Sequence, residues 1–378
     1  MKKFSCILLL LLPTCFRAQE LILQGRVVDA ETGDFLPYAT ISVGKGRGTL
    51  TNTEGCFRLK ASSGDEVTFS FVGFEKYSME AQDIPSTVKL KPFKRVLPEV
   101  MIKPRGESDV IRYVIRNLKR DFSRHRKERQ AYFLRSLMNN GSDSYLIECF
   151  TAWSSSVNLR DEEVFSGIYG MNVEGEKSKV KLTYTNIDRM AEVSPSAFMS
   201  NYWSKAIKPL NSISETMKYY NVGIDVLFNE AGENLYCINF HWNNRMTEKG
   251  KWRRYITGTA FVDRSTLHLL RFEGEVNNAY QWVDDKRLPT SIKFQMSYDY
   301  SKGYASVGSL AVQGGNDEMS YRMLLFGIPA DSLLMTSGGF VGKNIIDELK
   351  YAGYDESLWE EYNIVKRTRE EETIAFTQ

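Results

Sequence analysis

Histidine is scarce in this sequence: three in 378 residues, too few for most zinc sites. His125 lies in a charged helix end, and His241 and His268 lie on separate predicted strands. No His-Glu-x-x-His occurs, which excludes that class of metalloprotease, and no Gly-x-Ser-x-Gly elbow occurs, which excludes the hydrolases built on it. A zinc site drawing on Cys237, His241 and His268 is the one metal constellation to weigh. His241 and Cys237 stand four apart on a strand, about 13 Å at ~3.3 Å per residue, which argues against it. Metal, cofactor-binding and catalytic residues are therefore all expected to be none.

Long apolar runs are also lacking. Only Ile7–Leu12, behind Lys2 and Lys3 and before Pro13, is strongly apolar, and nothing approaches the ~20 residues of a membrane helix. A short charged start and a short apolar run read as a secretory signal over 1–18, with cleavage between Ala18 and Gln19. Lipid attachment at Cys15 is the rival, poorly served by Thr14 and Pro13 in front of it. The chain is expected to be exported, to the periplasm or the periplasmic face of the outer membrane. A basic surplus is missing too. Residues 1–18 carry Lys2, Lys3 and Arg17 and no acid, so the remainder has 46 basic and 47 acidic residues, a net of −1. That balance argues against nucleic acid as partner. Three cysteines remain beyond the leader, Cys56, Cys149 and Cys237. An odd number leaves at least one thiol free, and each sits in an apolar strand pattern suited to a small buried residue.

What is present is strand and turn. Leu21–Leu23 and Val27-Val28 lead into the turn Asp29–Asp34. Ala39, Ile41 and Val43 alternate with hydroxyl residues, as do Val67, Phe69 and Phe71, and Val88–Lys91 closes the series. Short strands at intervals of about ten residues, punctuated by glycine, predict a β-sandwich over 19–92. Gly44-Lys45-Gly46-Arg47-Gly48-Thr49 has the wrong order for a phosphate loop and reads as a turn between strands. Gly338–Asn344 brushes the same pattern, one residue short. Ser42–Lys45 and Ser178–Lys181 match Ser-x-x-Lys but lack the helix that would place the lysine.

Gly25-Arg-Val-Val-Asp29, Gly33, Leu36–Val43, Gly48–Asn52, Glu54-Gly55, Phe57 and Val72-Gly73-Phe74 resemble the carboxypeptidase-regulatory-like domain, a module of Bacteroidetes envelope proteins. They are also similar to the N-terminal extension of TonB-dependent receptors. The resemblance implies a seven-stranded transthyretin-like sandwich without catalytic residues. Asn52 stands where that family often has Asp, and Phe74 where it often has Tyr.

Pro92, Pro98 and Pro104 predict an extended connector or edge strand over 93–106. Ser108 reads as an N-cap. Val110, Ile111, Val114, Ile115, Leu118 and Phe122 fall on one face of a helix, opposite Arg112, Arg116, Lys119 and Arg120. The basic run Arg124–Arg129 reads as a solvated helix end docking on a sheet rather than a membrane-surface helix.

From Tyr132 the chain alternates as antiparallel strands, with Asn139-Asn140-Gly141-Ser142 as a hairpin turn and Asp263–Thr266 as another. A helix is expected over Gly342–Tyr351. The helix 108–117, the strand Tyr132–Arg135, Tyr236–Phe240, Gly258–Asp263 and Trp359–Asn363 resemble uncharacterised Bacteroidetes envelope proteins carrying the same module. The Gly258–Arg271 hairpin is similar to those of periplasmic lipoprotein carriers, which implies a curved half-barrel that holds an acyl chain. The stretch 160–220 resembles nothing in particular.

The fold class expected is mainly β with some α: the sandwich over 19–92, then over 107–378 a curved antiparallel sheet with a few helices. Glu162-Glu163, Asp284-Asp285 and Glu370–Glu372 read as solvated charge, and the six tryptophans as packing. The function these residues suggest is non-enzymatic binding or scaffolding in the envelope, of a lipidic, glycan or protein ligand. The alternatives are a secreted hydrolase of glycans or peptides using paired carboxylates, and an assembly partner docking by strand addition.

Overall fold

The computed structural model describes residues 20–44, 47–95, 107–125, 128–139, 143–154, 162–173, 176–179, 195, 198–243, 254–283, 286–329, 356–362 and 364–375. The leader with Cys15 and the Ala18–Gln19 bond, the prolines at 98 and 104, and the helix expected over Gly342–Tyr351 lie outside the described residues.

The N-terminal sandwich has seven strands in two sheets. One holds β1 (Glu20–Asp29) between β4 (Cys56–Ser62) and β7 (Thr87–Leu90). The other runs in the order β3 (Arg47–Leu50), β2 (Thr40–Val43), β5 (Glu66–Ser70) and β6 (Tyr77–Glu80). The alternation read from the sequence is the burial pattern. Ile41, Val43, Val67 and Phe69 point inward to meet Val27, Phe57 and Leu59, with Phe57 and Phe69 edge-on at 5.3 Å. Glycine serves the turns as expected, Gly33 at φ +78° and Gly44 at φ +55°. β2 and β3 pair antiparallel, with Val43 opposite Arg47. Asn52 holds the next turn, its Oδ1 accepting the N–H groups of Glu54 and Cys56, each at 2.9 Å.

Beyond Pro92, β8 (Lys94–Arg95) pairs with the edge of a second, larger sheet, so the described part of the connector is an edge strand. Then α1 (Glu107–Arg124) begins one residue before Ser108, which lies inside the helix rather than capping it. Its apolar face is the predicted one: Val110, Ile111, Val114 and Phe122 are buried.

The strands that follow are β9 (Arg129–Asn139), β10 (Asp143–Ser154), β11 (Glu162–Val173), β12 (Glu176–Lys179), β13 (Tyr220–Phe228), β14 (Asn234–Trp242), β15 (Tyr255–Asp263), β16 (Leu269–Val283), β17 (Lys286–Asp299), β18 (Ser306–Gly315) and β19 (Ser320–Ile328). They form one open antiparallel sheet with β8 at one edge. The order is β12-β11-β10-β9-β19-β18-β17-β16-β15-β14-β13-β8. Two meanders meet where β19 pairs with β9, a closure between segments nearly two hundred residues apart.

The sheet is curved, and the curvature has local causes. The register slips at Phe261/Val262, Val276/Ala279 and Ser297/Tyr298, and Asn278 takes φ +56° inside the second of these bulges. Gly258 and Gly274 face each other across β15 and β16. A Cβ on Gly274 would stand 2.1 Å from the Thr257 carbonyl oxygen and 2.7 Å from the Gly258 Cα. Only glycine at both positions lets the strands come this close.

The concave face carries the main core, including Tyr132, Ile147, Phe240, Phe272 and Phe294, and α1 packs against it. The other face is covered in two places. The C-terminal segment 364–375 and Trp359 lie over β9 and β10, and the sandwich contributes Leu50 and Tyr38 to that contact. Strand β9 is thereby buried on both faces along nearly its whole length.

Candidate functional site

The concave face is not completely filled. Before β13, the chain forms a π-helical segment, Phe198–Trp203, and one turn of helix, Ser204–Ala206. Phe198, Met199, Tyr202 and Trp203 are driven into the concavity by their bulk and apolarity. The Trp203 ring stands 5.1 Å from Phe294 and 5.9 Å from Phe272, edge to face with both. This plug lies in a stretch that resembled nothing in the sequence.

Between the plug, α1 and the sheet remains a cavity of ≈ 550 Å³. Ile111, Val114, Ile115, Leu118 and Phe122 form its α1 wall, at helical spacing. The opposite wall comes from alternate residues of neighbouring strands: Ile238 and Phe240, Ala260 and Val262, Leu269 and Phe272, and Tyr298. Polar groups line it sparsely. Lys119, Ser123, Ser204, Lys208 and Asn211 are among them, and the Lys119 ammonium donates to the Asn211 carbonyl at 2.7 Å. The buried Trp203 Nε1 has no hydrogen-bond partner among the described residues. Burial pushes the Tyr298 phenol well above its ordinary pKa, so it stays a neutral hydroxyl.

The far end of α1 is fastened to the sheet. Asp121 accepts the Ala305 N–H at 3.2 Å, Phe122 packs on Tyr298, and the His125 ring stacks on Tyr304 at 3.7 Å. Glu128 accepts from His125 Nδ1 at 2.6 Å and from the Tyr304 hydroxyl. The described part of the basic run is a docked helix end, as the sequence suggested.

Residues weighed for chemistry are dispersed. His268 is stacked on Tyr300 at 4.0 Å, and among the described residues no three metal-ligating side chains gather. Cys56, Cys149 and Cys237 form no disulfide among the described residues. Trp242 is stacked between Tyr219 and Tyr255, and Trp359 packs on Phe150 and donates to Ser166. For Trp242 this is the packing role that its alternation with core residues suggests. Trp252, Asp284-Asp285 and Gly338–Asn344 lie outside the described residues.

Glu371 is buried, in contrast to the solvated charge that its acidic run suggests. Thr368 and Glu371 form a reciprocal cap on the helix Arg369–Ala375, Thr368 N–H to Glu371 Oε2 at 2.8 Å and Glu371 N–H to Thr368 Oγ1 at 3.3 Å. The Thr-x-x-Glu spacing announces such a cap in the sequence. Glu371 also meets Arg135, whose other donors reach Glu148 Oε1 at 2.6 Å and the Val365 and Lys366 carbonyls. Arg367 grips the second side of Glu148. Burial would raise the Glu148 pKa, but the Arg135 and Arg367 guanidiniums outweigh it and hold the carboxyl below its usual range. This is a clamp on the C-terminal segment, on the face of the sheet away from the cavity.

Comparison with known proteins then bears on the N-terminal part. Residues 23–101 match the CarboxypepD_reg-like domain. No curated protein matches the chain. Solved structures give slight likenesses. A DUF1329 family protein from Desulfovibrio piger is 12% identical over 59% of this chain and 93% of its own, with a TM-score of 0.25. A structure described by lipid-protein interactions in lipovitellin is 10% identical over 57% of this chain and 26% of its own, at 0.23. A putative outer membrane lipoprotein-sorting protein domain from Vibrio parahaemolyticus is 11% identical over 64% of this chain and 98% of its own, at 0.21. At these scores the likeness carries no argument about what this chain binds.

Proposed function

We propose that this chain is a binding protein of the cell envelope that holds the apolar chain of a lipidic ligand between α1 and the concave sheet face. The carrying observation is the ≈ 550 Å³ cavity walled by aliphatic and aromatic side chains. Ligand sites typically enclose roughly 300–1,000 Å³. Among the ligand classes open from the sequence, a glycan needs many convergent polar groups, and these walls supply few. An acyl chain needs only dry surface, and each buried methylene contributes ~0.8 kcal/mol. The unpartnered Trp203 N–H would serve a single acceptor such as an ester carbonyl. The envelope location rests on the leader read over residues 1–18.

No described feature favours the hydrolase alternative. Glu148 and Glu371 are buried near one another, but guanidiniums neutralise both. A general acid needs a carboxyl whose pKa is raised, and that of Glu148 is lowered.

The test is native mass spectrometry of the purified protein, with solvent extraction of whatever it carries and titration with a fluorescent fatty acid. Wild type should carry or take up one acyl chain. Ala260→Trp, which fills the cavity from the sheet side, should abolish uptake while circular dichroism stays unchanged. The reading fails if wild type binds no acyl chain, or if Ala260→Trp binds as well as wild type.

A further inference from the structure

A second cavity, of ≈ 700 Å³, lies where the sandwich meets the opposite face of the large sheet. On the sandwich side it is lined by Tyr38, Phe71, Phe74 and Phe93, and on the sheet side by Arg264, Arg271, Gln295 and Ser297. Arg271, on β16, is only 5% exposed. Its guanidinium is held between the rings of Phe71 and Phe261, at 4.2 and 4.3 Å from their centroids. Its charged neighbour is Glu273, reached from Nη2 at a long 3.4 Å. The Nε lies 3.2 Å from that carboxylate but off the bonding direction. Nε and Nη1 thus have no hydrogen-bond partner among the described residues. Burial lowers the Arg271 pKa and Glu273 only partly offsets it, as expected for a cation short of counter-charge.

The other charges around the cavity do not supply that counter-charge. Asp263 accepts from the backbone and hydroxyls of Ser265 and Thr266, and Glu233 is engaged by Asn229. Lys76 and Arg264 add positive charge to the lining.

We propose that this interface cavity binds a small amphiphilic anion, a carboxylate or phosphate monoester on an apolar or aromatic body, with Arg271 as its anchor. Glu273 lies along the Nε/Nη2 edge, so the end-on edge, Nη1 with the second N–H of Nη2, is the parallel pair that suits two oxygens of one anionic group. The flanking rings hold the fork in plane and keep it from swinging out to water. Phe71 and Phe74, 5.5 Å apart, offer the body of the ligand an aromatic wall. The sandwich thereby supplies half of a binding site. This proposal is independent of the acyl site on the concave face.

The test is calorimetry and ligand-observed NMR on the full chain at low salt, with phenylacetate and phenyl phosphate as probes. The probe that binds tells carboxylate from phosphate. The expected result is 1:1 binding of at least one, weakened about 10- to 100-fold in Arg271→Met, the loss of charge-assisted hydrogen bonds. Ala260→Trp should bind normally. Gln295→Trp, which fills the cavity while keeping the arginine, should block binding, and it carries the test if Arg271→Met does not fold. The proposal is overturned if neither probe binds wild type, or if the folded Arg271→Met or Gln295→Trp protein binds as wild type does. It is equally overturned if binding is lost in Ala260→Trp. Arg271 would then be only a pin between two packed bodies.

Discussion

Replacing Glu148 by Gln tests the account of how the C-terminal segment is held. The carboxylate is fully buried and receives Arg135 Nε at 2.6 Å and Arg367 Nε at 3.0 Å, with the Arg367 Nη2 close by. Gln keeps one acceptor but turns an NH₂ group toward a guanidinium. Among the described residues Arg135 then keeps one carboxylate partner, Glu371 at 3.3 Å. Breaking a buried ion pair by removing one partner costs ~3–5 kcal/mol, and a retained hydrogen bond returns about 1. The expected loss at pH 7 is therefore about 3 kcal/mol, read by urea unfolding. Hydrogen exchange should locate the first opening in 364–375, which Arg135 ties to β9 through the Val365 and Lys366 carbonyls. In Arg367→Met, Arg135 still neutralises Glu148. The double variant Glu148→Gln/Arg367→Met should therefore lose less than the two single losses combined, by at least ~1 kcal/mol. The pH dependence has a definite sign. Glu148 is depressed in the folded state, so its contribution is present above the ordinary carboxyl pKa of ~4.3 and is lost as pH falls through the folded value. The gap between wild type and Glu148→Gln should thus narrow below about pH 4. A gap under 1 kcal/mol at pH 7, or one that widens in acid, would refute the reasoning.

Two further outcomes are expected. Gly274→Ala places a Cβ 2.1 Å from the Thr257 carbonyl oxygen, so β15 and β16 must part. Thermal unfolding should show a loss of more than ~2 kcal/mol, while Gly232→Ala, in open space at φ +84°, should lose only ~1. Asn52→Asp keeps the oxygen that caps Glu54 and Cys56 and removes a buried amide nitrogen that has no partner among the described residues. It should stabilise the protein by about 1 kcal/mol at neutral pH, and a destabilised variant in urea titration would count against that view of the turn.

Local chemistry written along the chain accounts for much of this architecture. Alternation at Ile41, Val43, Val67 and Phe69 decided which strand faces are buried, because successive side chains must point to opposite sides. The apolar stripe from Val110 to Phe122 decided the buried face of α1. Strands β9 and β10 pair in a register that places Arg135 opposite Glu148, and Thr368 with Glu371 spells a helix cap. Both signals were present, but a carboxylate's burial depends on what covers it, and the covering segment lies more than two hundred residues away.

Tertiary structure alone decided the rest. The join between β19 and β9, the bulges that curve the sheet and the plug at Trp203 depend on contacts remote in sequence. So does the position of Arg271 beneath Phe71 of the sandwich. Sequence periodicity reports which face of an element is apolar. It does not report how far two such faces stand apart, and that distance separates a packed core from a cavity able to take a ligand.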